Sequence, residues 1–99
     1  MLNIQKQIND NEAVVCLEGR LDTTTAPQLE NELKSFMESI TSLIFDFDKL
    51  EYISSAGLRV LLTAQKFMSK QGSMKLINVK DDVNEIFEVT GFSDILTIE

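Results

Sequence analysis

An α/β fold, with a mixed four- to five-stranded sheet and helices packed on it, is predicted by three features of the sequence. Short β-branched or aromatic runs alternate with stretches of helical periodicity. The first two apolar runs are separated only by Asn9-Asp10-Asn11, residues that favour a turn. The single Pro and four Gly are scattered as punctuation, with no repeat, linker or low-complexity tract, so residues 1–99 are expected to form one domain.

Each element has its own signal. Leu2, Ile4 and Ile8 indicate an opening strand, paired as a hairpin with Ala13-Val14-Val15-Cys16-Leu17, which Glu18-Gly19 ends. Thr25-Ala26-Pro27-Gln28 reads as a helix start, with Thr25 as N-cap, Pro27 in the first turn and Gln28 completing a capping box. Leu29, Leu33, Phe36, Met37 and Ile40 then carry the helix. Ser42 to Phe47 is a short strand, apolar enough to be central in a sheet. A second helix begins near Ser55 and runs towards Lys70, stopped by Gln71-Gly72, with Arg59, Thr63, Lys66 and Lys70 along one polar face. Met74 to Val79 is another strand. Asp81 and Asp82 open a third helix where negative charge suits the dipole, Val83, Ile86, Phe87 and Val89 supply its core face, and Gly91 caps it. A last short strand is expected at Ile95-Leu96-Thr97-Ile98.

Composition narrows the chemistry. The chain has 9 Lys plus Arg against 16 Asp plus Glu, a net charge of −7, and no His. Imidazole-based catalysis and His-ligated zinc are therefore excluded, and one Cys excludes an internal disulfide. The acidic balance argues against direct nucleic-acid binding and against anionic lipid. No apolar run is long enough to cross a bilayer, so no membrane insertion is expected, and with no export signal and an unpaired Cys the cytoplasm is the expected compartment. The charge is uneven, however: Tyr52 to Lys80 holds five cations (Arg59, Lys66, Lys70, Lys75, Lys80) and no acid. The remaining residues hold 4 basic and 16 acidic side chains, which implies a molecule with two different faces. Cys16, in an apolar run, reads as an inert core residue.

The informative segment is Ile53-Ser54-Ser55-Ala56-Gly57-Leu58. Its serines fall at a helix N-terminus, where unpaired N–H groups and the dipole favour an anion. A phosphate added there would gain charge-assisted hydrogen bonds, and small Ala56 and Gly57 would let a partner's loop approach. The residues alone leave a second reading open, in which Ser54 or Ser55 is an N-cap and nothing more. Asp46 and Asp48 are in the same position: hydrogen-bond partners of the serine, or the solvated end of a strand.

The segment resembles the signature of the STAS domain, and within that family the stand-alone anti-sigma factor antagonists of bacteria, whose loop ends in Asp-Ser-Ser-Gly-Leu or Asp-Ser-Ala-Gly-Leu. Gly19-Arg20-Leu21-Asp22 with Thr23-Thr24-Thr25-Ala26 is similar to the family's Gly-x-Leu/Ile-Asp segment, and Ile86 to Phe92 to its closing helix. The resemblance spans essentially the whole chain. It implies the STAS fold and a switch in which an anti-sigma factor that is also a GHKL-type serine kinase phosphorylates Ser55, with Ser54 the alternative acceptor. The unphosphorylated form binds the kinase and frees a sigma factor; a PP2C-type phosphatase restores it. Partner contacts are expected at Asp22, Thr23, Ser54, Ala56, Gly57 and Arg59, although the residues alone also fit Asp22 as a turn acid before a helix and Arg59 as part of an exposed helix side. ATP and Mg²⁺ belong to the kinase, so no cofactor is expected here, and the chain is substrate and ligand and no enzyme. Two positions depart from the family: Ser54 stands where Asp is usual, and Lys80 where a capping Ser is common.

Two other classes remain. STAS modules also brace lipid-trafficking ABC transporters without a phospho-switch, a reading that Ser54 in place of Asp favours. An enzyme using Ser55 as nucleophile would lack a His base and a Gly-x-Ser-x-Gly elbow.

Overall fold

A computed structural model describes residues 2–99. Four strands form one sheet in the order β1 (Leu2–Asn9), β2 (Glu12–Leu21), β3 (Ser42–Ile53) and β4 (Ser73–Ile77). β1 and β2 are an antiparallel hairpin turning at Asp10, whose φ of 54° is left-handed, while β2–β3 and β3–β4 are parallel. Parallel neighbours need a crossover. Helices α1 (Ala26–Lys34) and α2 (Ser55–Gln71) provide the two, and α3 (Asp81–Thr90) follows β4. The expected α/β class with a mixed sheet is what forms.

Alternation divides the sheet into two faces. Ala13, Val15 and Leu17 of β2 and Leu43, Phe45 and Phe47 of β3 are buried with Leu29, Leu33, Leu61, Met68 and Phe87 of the helices. Phe47 anchors this core, its ring 6.0 Å from that of Phe45 and 6.3 Å from that of Phe87. The intervening residues Val14, Cys16, Ile44 and Asp46 stay half-exposed on the opposite face.

Several expectations need correction. β3 does not stop at Phe47 but continues to Ile53, because two irregularities in its pairing with β2 re-phase it: Cys16 pairs Asp46 but Glu18 pairs Lys49, and Gly19 pairs Leu50 but Arg20 pairs Tyr52. Each inserts one residue into β3, so Phe47, Leu50 and Ile53 all point inward although simple alternation would expose Leu50. The first helix ends at Lys34; Phe36, Met37 and Ile40 are buried, but from a short 3-10 turn at Met37–Ser39 and the segment after it. β4 stops at Ile77, since Asn78 turns left-handed at φ 57°. Val89 is 81% exposed and outside the core. Ile95–Ile98 forms no strand: one parallel bridge joins Leu76 to Ile98, with Leu76 N–H donating to Thr97 O and Glu99 N–H to Leu76 O, both 2.9 Å. Cys16 is on the half-exposed face, where burial first and the Asp46 charge second push its thiol pKa up and keep it in the unreactive protonated form.

Candidate functional site

The carboxyl ends of β2 and β3 lie side by side and deliver two loops to one edge of the molecule. Ser54 N–H donates to Leu21 O at 2.8 Å, so the last residue before α2 is tied to the end of β2. Ser54 then caps α2: its backbone is extended, its carbonyl receives Leu58 N–H at 2.9 Å, and its hydroxyl accepts Gly57 N–H at a long 3.5 Å. The capping role falls on Ser54 alone. Ser55, the first residue of the helix, is exposed, and no hydrogen bond among the described residues engages its hydroxyl. The amides of the first turn also lack helical partners, a local excess of donors at the positive end of the dipole.

Gly57 is a correction. It does not open space for a partner; it is buried, and a Cβ there would meet Leu21 Cγ at 2.7 Å and Ile53 Cγ1 at 2.9 Å. Its lack of a side chain seats α2 closely on the strand ends. Ala56, half-buried one position earlier, is the small residue that faces outward.

Asp22 organises the neighbouring loop. Its Oδ1 accepts from Thr24 N–H (3.1 Å), Thr24 Oγ1 (2.8 Å) and Thr25 N–H (3.1 Å). The Thr24 hydroxyl above all holds the carboxyl below the ordinary Asp value, so Asp22 stays ionised. Thr25 occupies the N-cap position of α1 but makes no side-chain cap; its hydroxyl donates to Arg20 O at 2.8 Å and accepts from Asp22 N–H at 2.8 Å. Nor does Gln28 close a capping box: its Nε2 donates to Leu2 O at 3.3 Å, pinning β1 to α1. The loop is thus braced from inside, which leaves Thr23 exposed beside the α1–α2 groove.

That groove, about 360 Å³, runs between the two helices. Thr23, Pro27 and Glu30 form one wall, and Ala56, Arg59 and Thr63 the other. Arg59, Thr63, Lys66 and Lys70 are all exposed, as their spacing predicts. Asp46 and Asp48 do not serve the serines: Asp46 Oδ1 accepts from Asn78 Nδ2 (3.1 Å) and from Asp48 N–H (3.0 Å). Invisible in the sequence is the Arg20–Tyr52 pair, with the guanidinium carbon 4.3 Å from the ring centroid and Nε 3.9 Å from Asp22 Oδ2. Only the shifted register brings these two residues together, and no local motif announces it.

Among the described residues, no group of three or more His, Cys, Asp or Glu is placed to hold a metal ion, and no helix is long and apolar enough to cross a membrane. The profile of the family described as "STAS domain" matches residues 3–99. The Bordetella bronchiseptica protein BtrV is 38% identical over 91 residues, covering 90% of this chain and 78% of its own. The anti-sigma-B factor antagonist of Bacillus subtilis is 32% identical over 98 residues, covering 98% and 90%. In three dimensions the chain is similar to the Bacillus anti-sigma factor antagonist SpoIIAA at 20% identity. The unphosphorylated form has a TM-score of 0.84 (98% of this chain, 88% of that one) and the phosphorylated form 0.76 (98% and 91%). With a family profile matched from Asn3 to Glu99 and its signature loop displayed at the head of α2, this chain belongs to the STAS domain family.

Proposed function

We propose that this chain is a single-domain, cytoplasmic anti-sigma factor antagonist, switched off by phosphorylation of Ser55. The observation that carries the reading is the exposed, unengaged Ser55 hydroxyl on the first turn of a long helix, beside a loop that Asp22 holds rigid. Relatives named for antagonism of anti-sigma factors support the partner class. A structural neighbour exists in unphosphorylated and phosphorylated forms, which supports the chemistry. Ser54 is the poorer acceptor because its hydroxyl caps α2.

In the unphosphorylated state Asp22, Thr23, Ala56 and Arg59 meet an anti-sigma factor that is a GHKL-type serine kinase, and the sigma factor is released. The kinase then transfers the γ-phosphoryl group of its own ATP: an Oγ–P bond forms at Ser55, the bond from phosphorus to the β–γ bridging oxygen breaks, ADP leaves, and the hydroxyl proton passes to a base on the kinase. The product adds about −2 to a stretch that carries no acid, so shape and charge change together at the contact. A PP2C-type phosphatase restores the hydroxyl by hydrolysis, releasing inorganic phosphate.

With the cognate kinase and ATP, intact-mass measurement is expected to show one added phosphate, absent in Ser55→Ala. That variant should keep its stability within about 0.5 kcal/mol, as an exposed substitution does. Phosphate retained by Ser55→Ala overturns the site. Kinase capture by the unmodified chain, lost on phosphorylation, is the expected binding result; equal capture overturns the switch.

A further inference from the structure

The geometry points to Arg59 as the internal ligand of a phosphate on Ser55, so that phosphorylation withdraws a cation from the partner while it adds an anion. The inference rests on the reading of Ser55 as the acceptor. Ser55 and Arg59 are four apart on α2 and both exposed, which sets their side chains one above the other with Cβ atoms about 5–6 Å apart. The order is the favourable one, anion towards the helix N-terminus and cation one turn on. Among the described residues the Arg59 guanidinium makes no ion pair; the three pairs are Lys6–Glu32, Arg20–Asp22 and Lys75–Glu99. Five N–H donors in a planar fork are therefore uncommitted beside the acceptor, and a fork matches phosphate oxygens two at a time.

The other charges near the site leave Arg59 as the available ligand. Arg20, from β2, is already stacked on Tyr52 and paired with Asp22. Asp22, from the loop before α1, stays ionised and repels a phosphate on its side. Glu30, from α1, lines the same groove as Arg59 but makes no ion pair with it. A dianion one helical turn away is the stronger anion for that guanidinium. The partner thus meets two different surfaces. Without phosphate, Arg59 projects from the groove wall and is free for a carboxylate on the kinase; with it, the guanidinium is turned back along α2.

The test needs no kinase. Phosphoserine is placed at position 55 during translation in the wild type, Arg59→Gln and Arg59→Lys, and the second ionisation of the phosphate is followed by phosphorus NMR. The charged groups carried by the neighbouring elements are Arg20 at the end of β2, Asp22 in the loop after it, Glu30 on α1 and Arg59 on α2. The wild type is expected to titrate below the usual value of about 6, Arg59→Gln roughly 0.5 unit above the wild type, with the helix N-terminus still lowering what remains, and Arg59→Lys to fall between. The Arg59 Nε–H resonance should move on phosphorylation, which a merely structural role would not produce. Equal midpoints in wild type and Arg59→Gln, or a depressed midpoint that Arg59→Gln leaves in place, overturn the inference. Because the phosphoserine is built in, a kinase that ignores Ser55 refutes the proposed function without touching the contact between Arg59 and the phosphate.

Discussion

The two ends of α2 are built on opposite plans. At its carboxyl end the hydrogen bonds of the last residues tie the helix to its neighbours: Gln71 Nε2 donates to Met37 O at 2.8 Å and to Ile40 O at 2.6 Å, Gly72 N–H donates to Met68 O, and Ser73 N–H to Thr41 O. At its amino end the backbone is fastened by Ser54 and Leu21, while the Ser55 hydroxyl stays exposed and unengaged. One end spends its hydrogen bonds on the fold and the other holds them in reserve. The same helix is therefore a structural strut below and, on the proposed function, a contact surface above.

Substitutions separate the two plans. The largest loss is expected from Gly72→Ala. Gly72 has ordinary extended backbone (φ 178°), but a Cβ would fall 1.8 Å from Thr41 O, a backbone atom that cannot rotate away. Urea unfolding should show a loss of about 3 kcal/mol or more, with the folded fraction still binding the partner normally. Gln71→Leu comes next, because Met37 O and Ile40 O lose their shared donor: about 2 kcal/mol, again without a binding defect in the folded protein. A specific loss of binding in either variant would break the contrast.

Gly57→Ala sits on the boundary. Its Cβ presses Leu21 and Ile53, side chains that yield more readily than backbone, and the gain in helix propensity offsets part of the cost. The net loss should be about 1 to 2 kcal/mol, but partner affinity should fall as well, since lifting α2 moves Ser55 away from Asp22. Unchanged affinity would mean the helix seat is not transmitted to the surface.

Asp22→Asn has the smallest expected effect on stability and a pH signature. The folded-state pKa is depressed, so the carboxylate contributes stability above the unfolded value, and this is lost as pH falls through about 4 towards the folded pKa. The melting-temperature gap between wild type and Asp22→Asn should be open at pH 7 and close in acid. A gap independent of pH would place the effect in loop shape and not in charge.

Much of this contrast was legible in the sequence. The hairpin followed from turn residues at Asp10, α2 from its polar stripe, and the signature loop from the adjacent Ser54 and Ser55. What escaped depended on contacts between distant segments. The strand expected to end at Phe47 leaves Lys49, Glu51 and Tyr52 outside it, yet the two insertions against β2 keep them in β3. Cys16 and Leu17 are neighbours in one apolar run, and only pairing decides which faces the helices. Phe36 and Met37 have helical spacing but are buried beyond the end of α1. Gly57 looked like open space for a partner because a glycine shows no side chain for packing to fill; its neighbours Leu21 and Ile53 come from two separate strands.

The tie between Ser54 and Leu21 has a consequence for the newly made chain. The tetrapeptide Ser54-Ser55-Ala56-Gly57 exists as soon as it is synthesised, but its display waits until two strands distant in sequence pair in parallel. Closing so long a loop is among the slower events in folding, because the entropy is lost before any bond is returned. A chain still unfolded or trapped half-paired carries the words of the motif without their arrangement. The kinase of the proposed function, reading the arrangement, would pass over immature copies and count only molecules that have finished folding.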